Sequence, residues 1–154
     1  MKSKNQTKLM PTSSNTFILE ANNNINKVVE VNKDSTYYLF DLKDNNTKTN
    51  IVFNIKANVS LIFSVLSDNN ELKHNFNFKF NQQSKSKVQM FAKCFVSKTA
   101  NISLDADIVV PSKTQQVVAE QEINGFVFSD TASISTTPAL VIDTNNVKAS
   151  HAVN

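Results

Sequence analysis

Apolar and polar residues alternate one by one along most of this chain. The alternation is clearest where Phe76, Phe78 and Phe80 occupy every second position, with Asn77 and Lys79 between them. A period of two places all three rings on one face of an extended strand, whereas a helix would repeat its apolar residues every 3.6 positions. The same period recurs in segments that begin near residues 51, 59, 88, 102, 117, 126, 134, 140 and 147. The sequence therefore predicts an all-β chain.

The connections between the predicted strands contain almost no glycine. Gly125 is the single glycine of the sequence, although the two-residue hairpin turns of an antiparallel sandwich normally require this residue. The breaks read instead SDNNE, NQQSKSK, SKTAN, PSKTQQ and DTNN, in which asparagine and aspartate tolerate the left-handed conformation. Short strands at uneven intervals also suit a β-solenoid, whose turns stack and bury one face of each strand. Periodicity alone leaves a sandwich and a solenoid open.

The length of 154 residues and the 40% apolar content predict one domain with a buried core. Residues 1–15 are polar and are predicted to form a disordered tail, so that the domain spans residues 16–154. The first residues lack the apolar stretch of a secretory signal, and the longest apolar run, VSLIFSVL, is too short to cross a bilayer. A lone cysteine, Cys94, is typical of a reducing compartment. These features predict a cytoplasmic protein.

The charge pattern argues against nucleic acid as a partner. All 16 basic residues are lysine, and the formal net charge is only +3. Without arginine the chain has no planar fork that binds phosphate or guanine through two hydrogen bonds. Lysines between phenylalanines could imitate a single-strand-binding sheet, but scattered lysines are more typical of a solvated face. The abundant asparagine is attributed to AT-rich codon usage and is not taken as a functional signal.

Few residues are candidates for chemistry, and no catalytic residue is predicted. Asp105 and Asp107 share one strand face and could bind a cation, but a solvent-facing pair is the simpler interpretation. Cys94 is in phase with core positions and is predicted to be buried, and an iron–sulfur cluster usually needs four ligands, so it could serve only as a ligand shared with a partner. His74 is assigned no role. His151 could offer an imidazole at a chain edge.

Three short motifs follow one another near the end of the sequence: SDTA at 129–132, PALVI at 138–142 and VKASH at 147–151. In order and spacing they resemble the Sd.A, P.LeI and VkasH motifs of the SufB/SufD family, the scaffold proteins of the SUF iron–sulfur cluster assembly system. Gln121 is placed like a glutamine of the preceding family pattern. The resemblance implies a right-handed parallel β-helix, whose corners need no hairpin glycine. It therefore favours the solenoid over the sandwich.

The same resemblance implies a site and partners. The family's motif histidine lies at the SufB–SufD interface, where a nascent cluster is thought to be built, and His151 is its counterpart. Val147, Ala149 and His151 are accordingly expected to contact a SufB-like chain or a second copy in a dimer. His151 is then a candidate ligand for iron or a transient shared cluster, with no tightly bound cofactor. Some SufD members carry a cysteine where this chain has Ala149, so that ligand is lost here.

The sequence departs from the family pattern in ways that narrow the expected function. We expect the chain to lack the helical regions of the family at both ends, including the helices that dock the SufC ATPase, so contact with such an ATPase is not implied. The cysteine and glutamate associated with cluster building in SufB have no counterpart, which makes SufD the better likeness. We therefore expect a non-catalytic SufD-like scaffold subunit. The alternatives are a degenerate paralogue that keeps only the fold as a structural or interaction subunit, and a solenoid carbohydrate-active enzyme, for which Asp105 and Asp107 are too few carboxylates.

Overall fold

The computed structural model of the protein describes residues 9–13, 16–20, 24–41, 47–67 and 73–154. Every regular element in these ranges is a β-strand, which confirms the all-β prediction. None of the described residues belongs to a helix that could cross a membrane. The strands are β1 (Leu9–Ser13), β2 (Thr16–Glu20), β3 (Ile25–Val31), β4 (Ser35–Asp41), β5 (Thr47–Ile55), β6 (Asn58–Ser67), β7 (Lys73–Gln82), β8 (Lys87–Val96), β9 (Asn101–Val110), β10 (Val117–Val127), β11 (Ser133–Ile142) and β12 (Val147–Val153).

The strands form two sheets that the chain visits in alternation. Sheet A has the order β1-β2-β4-β6-β8-β10-β12, and sheet B has the order β11-β9-β7-β5-β3. All neighbouring pairs are parallel except β1 with β2. From β2 onward the chain therefore winds as a solenoid with two strands per turn, which confirms the solenoid and excludes the antiparallel sandwich. The family resemblance implies right-handed winding, which is the hand that parallel crossovers adopt in about 98% of cases.

The turns of the solenoid widen along the chain. Thr16 pairs with Thr36, 20 residues away, whereas Asn101 pairs with Ser133, 32 residues away. The strands lengthen in parallel, from 5 residues in β2 to 11 residues in β10. This widening explains why the strand intervals in the sequence are uneven. Within the described residues the solenoid is narrow at β1 and wide at β11 and β12.

One continuous core fills the space between the two sheets. Phe53 and Phe80 stack at a centroid distance of 5.0 Å within sheet B, and both rings are fully buried. Phe63 of sheet A meets Phe76 and Phe78 of sheet B edge-on, at 4.7 and 5.3 Å. Such edge-to-face contacts stabilise aromatic pairs beyond the burial of their area. The inward positions are those that the alternation predicted, so a column of phenylalanines joins the sheets.

The predicted disordered tail, residues 1–15, overlaps the first strand. Leu9–Ser13 form β1, which pairs antiparallel with β2 at the narrow end of sheet A. These five residues form a strand, because an open sheet edge offers backbone donors and acceptors with which an added segment can pair. Residues 1–8 and 14–15 lie outside the described residues, and the boundary at residue 16 stays a prediction.

Three corners of the solenoid place a lysine in the left-handed conformation. The φ angles are 61° at Lys85, 55° at Lys98 and 67° at Lys113, and each lysine follows a serine. Asparagine and aspartate were the residues expected in this conformation. That expectation is wrong for the described corners, where the other positive φ belongs to Gln116. A residue with a Cβ atom is strained there by about 1–2 kcal/mol. The corners of this chain therefore carry strain that glycine would remove.

Replacing Lys85 by glycine is expected to raise the free energy of unfolding by about 1 kcal/mol, because glycine adopts a positive φ without strain. The backbone N–H of residue 85 would keep its hydrogen bond to the Gln115 carbonyl, which is 2.9 Å long. Urea denaturation measures the change. Lys79→Gly, in the middle of β7, is the matched control and should lower the free energy of unfolding by about 0.5–1 kcal/mol. A loss of stability in Lys85→Gly would contradict the strain.

Candidate functional site at the open end of the solenoid

At the wide end of the solenoid are two strands that each have one edge without a neighbour among the described strands. β12 is the last strand of sheet A and β11 the last strand of sheet B in the described part of the chain. Because β12 follows β11, it stands half a turn further along and no described strand of sheet B faces it. Its inward side chains Ala149, His151 and Val153 are consequently exposed, although their register partners on β10 are buried.

The hydrogen bonds at the ends of β12 show which backbone groups face outward. The N–H of Asn154 donates to the Ile123 carbonyl at 2.9 Å, and the Asn154 carbonyl accepts from Gly125 at 2.8 Å. Successive residues of a strand turn their backbone groups to opposite sides. Even-numbered residues of β12 therefore bond to β10, and odd-numbered residues offer their N–H and C=O groups at the open edge. The residues with open backbone groups are Val147, Ala149, His151 and Val153.

The edge of β11 is less suited to pairing. The N–H groups of Ser133 and Asp143 donate to carbonyls of the β9 side at 3.0 and 2.9 Å, so the even-numbered residues of β11 face the open edge. Pro138 is one of them, so the N–H group that it lacks is not needed for the hydrogen bonds between β11 and β9. It does remove a donor from the middle of the open edge, and proline on an edge strand opposes further pairing. β12 contains no proline and is the better edge for an added strand.

The structure brings the three residues of the expected interface together on the inner side of β12. Val147 is partly buried and packs against the core, whereas Ala149 and His151 are exposed. All three also belong to the residues with open backbone groups. Their side chains and their main chain therefore face one region, and their role as an interface stays a prediction.

Gln121 of β10 is the register partner of His151. It is a buried polar residue with 3% of its surface exposed. Its Nε2 donates to the Ala106 carbonyl across the lumen at 2.9 Å and lies 3.7 Å from the sulfur of Met90. Its Oε1 has no hydrogen-bond partner among the described residues. The last layers of the lumen thus place a buried acceptor beside the strand that carries an exposed imidazole.

Cys94 lies in the lumen of sheet A and is fully buried, as the alternation predicted. Burial raises the pKa of the Cys94 thiol to about 12. The thiol is therefore protonated at neutral pH, whereas a metal ligand must be a thiolate. Cys94 serves as a small apolar residue of the core, and its environment disfavours the ligand role.

His74 is buried in the core, a position that the sequence analysis missed. Its Nε2 lies 3.1 Å from the Ser67 hydroxyl, and its ring stacks on Phe76 at 6.2 Å. The signal was available, because His74 is in phase with the phenylalanines that follow it. A buried histidine with these contacts has a structural role rather than a catalytic one.

Asp105 and Asp107 lie on the outer face of β9, beside Asn77 and Lys79 of β7. This is the solvent-facing position that the simpler interpretation expected. The described ranges contain no group of three or more histidine, cysteine, aspartate and glutamate side chains that could hold a metal ion. The pair is therefore best explained as part of a polar outer surface.

The SDTA motif forms the corner that leads into β11. The hydroxyls of Ser129 and Thr131 both donate to the carbonyl of Lys98 in the preceding turn. Ala132 follows and packs against the core. The motif therefore connects the corner before β11 to the corner before β9, and it fixes where β11 begins.

An apolar patch on the outer face of sheet A is a second surface feature, which the sequence analysis missed. Phe40, Leu66 and Phe126 are 42% to 49% exposed, and Phe126 stacks on Phe95 at 4.7 Å. The signal would have been the phenylalanines that lie out of phase with the core residues of β8. No described strand covers this patch.

The comparison with families of known proteins places nearly the whole chain in one family. Residues 12–154 match the family described as SUF system FeS cluster assembly, SufBD core domain. The matched region includes the three motifs and both edge strands at the wide end. Comparison with curated proteins and with solved structures gave no match.

Proposed function

The chain belongs to the SufBD core family of the SUF iron–sulfur cluster assembly system, and from that membership we propose that it is a SufD-like, non-catalytic scaffold subunit that pairs through its open end. The family supports a part in iron–sulfur cluster assembly. The open edge of β12, with His151 in its middle, is the observation that carries the scaffold role. The SufD-like assignment rests on the missing counterparts of the SufB cysteine and glutamate.

Pairing is supported by the backbone geometry of β12. Its four odd-numbered residues offer unpaired N–H and C=O groups along one continuous edge. Such an edge is a template for an added strand, which would contribute main-chain hydrogen bonds. The partner is a SufB-like chain or a second copy, and in the second case the two edges would meet around a two-fold axis. The inward side chains of β12, which no described strand of sheet B opposes, would be covered in the same event.

His151 supplies the chemistry that the proposal needs. A neutral imidazole is a suitable ligand for iron, and His151 is exposed at the edge where the partner would arrive. A cluster usually has four ligands, so His151 would contribute one and the partner the others. The cluster is the cargo of this site and leaves it, which agrees with a scaffold that keeps no resident cofactor.

Co-expression with a SufB-like partner, followed by size-exclusion chromatography, tests the pairing. We expect a complex that elutes as one species and carries iron and sulfide after reconstitution with ferrous iron, a cysteine desulfurase, its substrate cysteine and a thiol reductant. A chain that stays a separate monomer, neither paired with the partner nor with itself, would contradict the proposal.

Replacing His151 by alanine is expected to leave this complex intact and to lower its iron and sulfide content by about tenfold, because a ligand is lost while the backbone edge is kept. Iron and sulfide are measured on the purified complex. Lys148→Ala, three residues away on the outer face of β12, is the control and should keep the wild-type content.

An unchanged cluster content in His151→Ala, in a complex that still forms, would favour the degenerate paralogue. In that case the solenoid would keep only its interaction role, which rests on the same edge of β12 and does not require the imidazole.

A further inference from the structure

We propose that Gln121 is a positioning residue for His151, whose ring N–H donates to the Gln121 Oε1 atom. This hydrogen bond would hold the imidazole in one tautomer and turn its other nitrogen out of the open end of the lumen. The inference rests on the proposed function in one respect, since it assumes that His151 is the group that this end presents.

The amide of Gln121 has a fixed orientation. Its Nε2 donates to the Ala106 carbonyl at 2.9 Å, and a carbonyl oxygen accepts only from a donor, so the two amide atoms cannot exchange places. The Oε1 atom is consequently an acceptor, and it is buried without a partner among the described residues. An unpaired buried acceptor is unfavourable, and the side chain therefore favours any donor that can reach it.

His151 is the neighbour on sheet A that can supply this donor. The other register partner of Gln121 is Met90, and the next inward residues along β10 are Ala119 and Ile123. None of these three side chains has an N–H or O–H group, whereas imidazole always carries at least one N–H. Among these four neighbours on sheet A, chemistry and register thus select His151.

The geometry of a parallel sheet brings the two side chains together. Gln121 and His151 are aligned across β10 and β12, so both side chains point to the lumen side of sheet A. Adjacent strands lie about 4.8 Å apart, which places the imidazole one layer above the amide. His151 is exposed and not held by the core, so its side-chain torsions are free to turn the ring toward the amide.

A fixed tautomer has a chemical consequence at this edge. When one ring nitrogen donates to Oε1, the other nitrogen keeps its lone pair and is the free ligand or acceptor. Partners of this kind orient metal-binding histidines in many proteins. Gln121 would thus determine which nitrogen of His151 faces an incoming partner or iron.

Imidazole ¹⁵N NMR of the full-length chain, without partner or iron, tests the inference at a pH where the free imidazole is neutral. The chain has two histidines, and the buried His74 serves as an internal reference. We expect one tautomer of His151 to exceed the other by about tenfold, as one net hydrogen bond allows. In Gln121→Met, which keeps the length and burial of the side chain, the ratio should return to that of a solvent-exposed histidine while the His74 signals stay unchanged.

Two outcomes would overturn the inference: a solution-like tautomer ratio in the wild-type chain, or a ratio that Gln121→Met leaves unaltered. Gln121→Asn, whose amide is one methylene too short, is a second variant and should also lose the bias. A purely structural Gln121 would change stability in these variants without changing the tautomer. The NMR experiment contains neither partner nor iron. A negative NMR result therefore does not affect the interpretation of co-expression, and a negative co-expression result does not affect the interpretation of the tautomer ratio.

Discussion

Phe78→Ala is expected to lower the free energy of unfolding by about 3–5 kcal/mol, the range for phenylalanine deletions in protein cores. Phe78 is fully buried and meets Phe63 of the opposite sheet at 5.3 Å, so its removal opens a cavity between the two sheets. Its register partner Ala106 is too small to fill that space. A domain of this size is stable by about 5–15 kcal/mol, and the variant would lose a large part of that stability.

Phe91→Ala is the matched control for this prediction. Phe91 lies on the outer face of β8 and is 41% exposed, so its removal should lower the free energy of unfolding by about 1 kcal/mol or less. Both variants are measured by urea denaturation with circular dichroism. Equal losses in the two would show that the alternation does not separate core from surface in this chain.

Ala149→Pro is expected to weaken association through the open end by about tenfold or more. The N–H of Ala149 faces the open edge, so proline removes a donor that an added strand would use and places a ring in its path. The pairing of β12 with β10 uses the even-numbered residues and should persist. The dissociation constant of the complex with a SufB-like partner, or of the homodimer, is measured by analytical ultracentrifugation.

Two further variants of β12 isolate the cause. Ala149→Val keeps the N–H and suits a strand, so it should associate like the wild type. Ser150→Pro removes a donor that faces β10, and it should lower the free energy of unfolding, which Ala149→Pro should leave nearly unchanged. Wild-type association of Ala149→Pro would rule out pairing through this edge.

Sequence reasoning identified the inward residues of the strands but not the architecture that they build. The alternation predicted which residues of β7 and β9 are inward, because a strand exposes its two faces with a period of two whatever lies beside it. It could not distinguish a sandwich from a solenoid, since both bury one face of each strand. The resemblance over the last third of the chain made that choice, and the structure confirms it.

The candidate site was only partly predictable. His151 was found through the VKASH motif, and its neighbours Val147 and Ala149 follow from the period of two. Gln121 was noticed as a motif position, but its unpaired Oε1 depends on the Ala106 carbonyl, which lies 15 residues earlier and on the other sheet. The two open edges also differ in their capacity to pair with an added strand. That difference could not be read from the sequence, because it depends on Pro138 turning its backbone nitrogen to the open edge and not to β9.

The amino-acid sequence by itself determined the strands and the side of each strand that enters the core, because that information lies in residues two positions apart. Only the tertiary structure decided which residues stack, because partners such as Asn54 and Asn81 are 27 residues apart and hydrogen-bond only when the turns are aligned. The same alignment sets Gln121 beside His151. Local alternation carries no record of register, and register is what places His151 above Gln121.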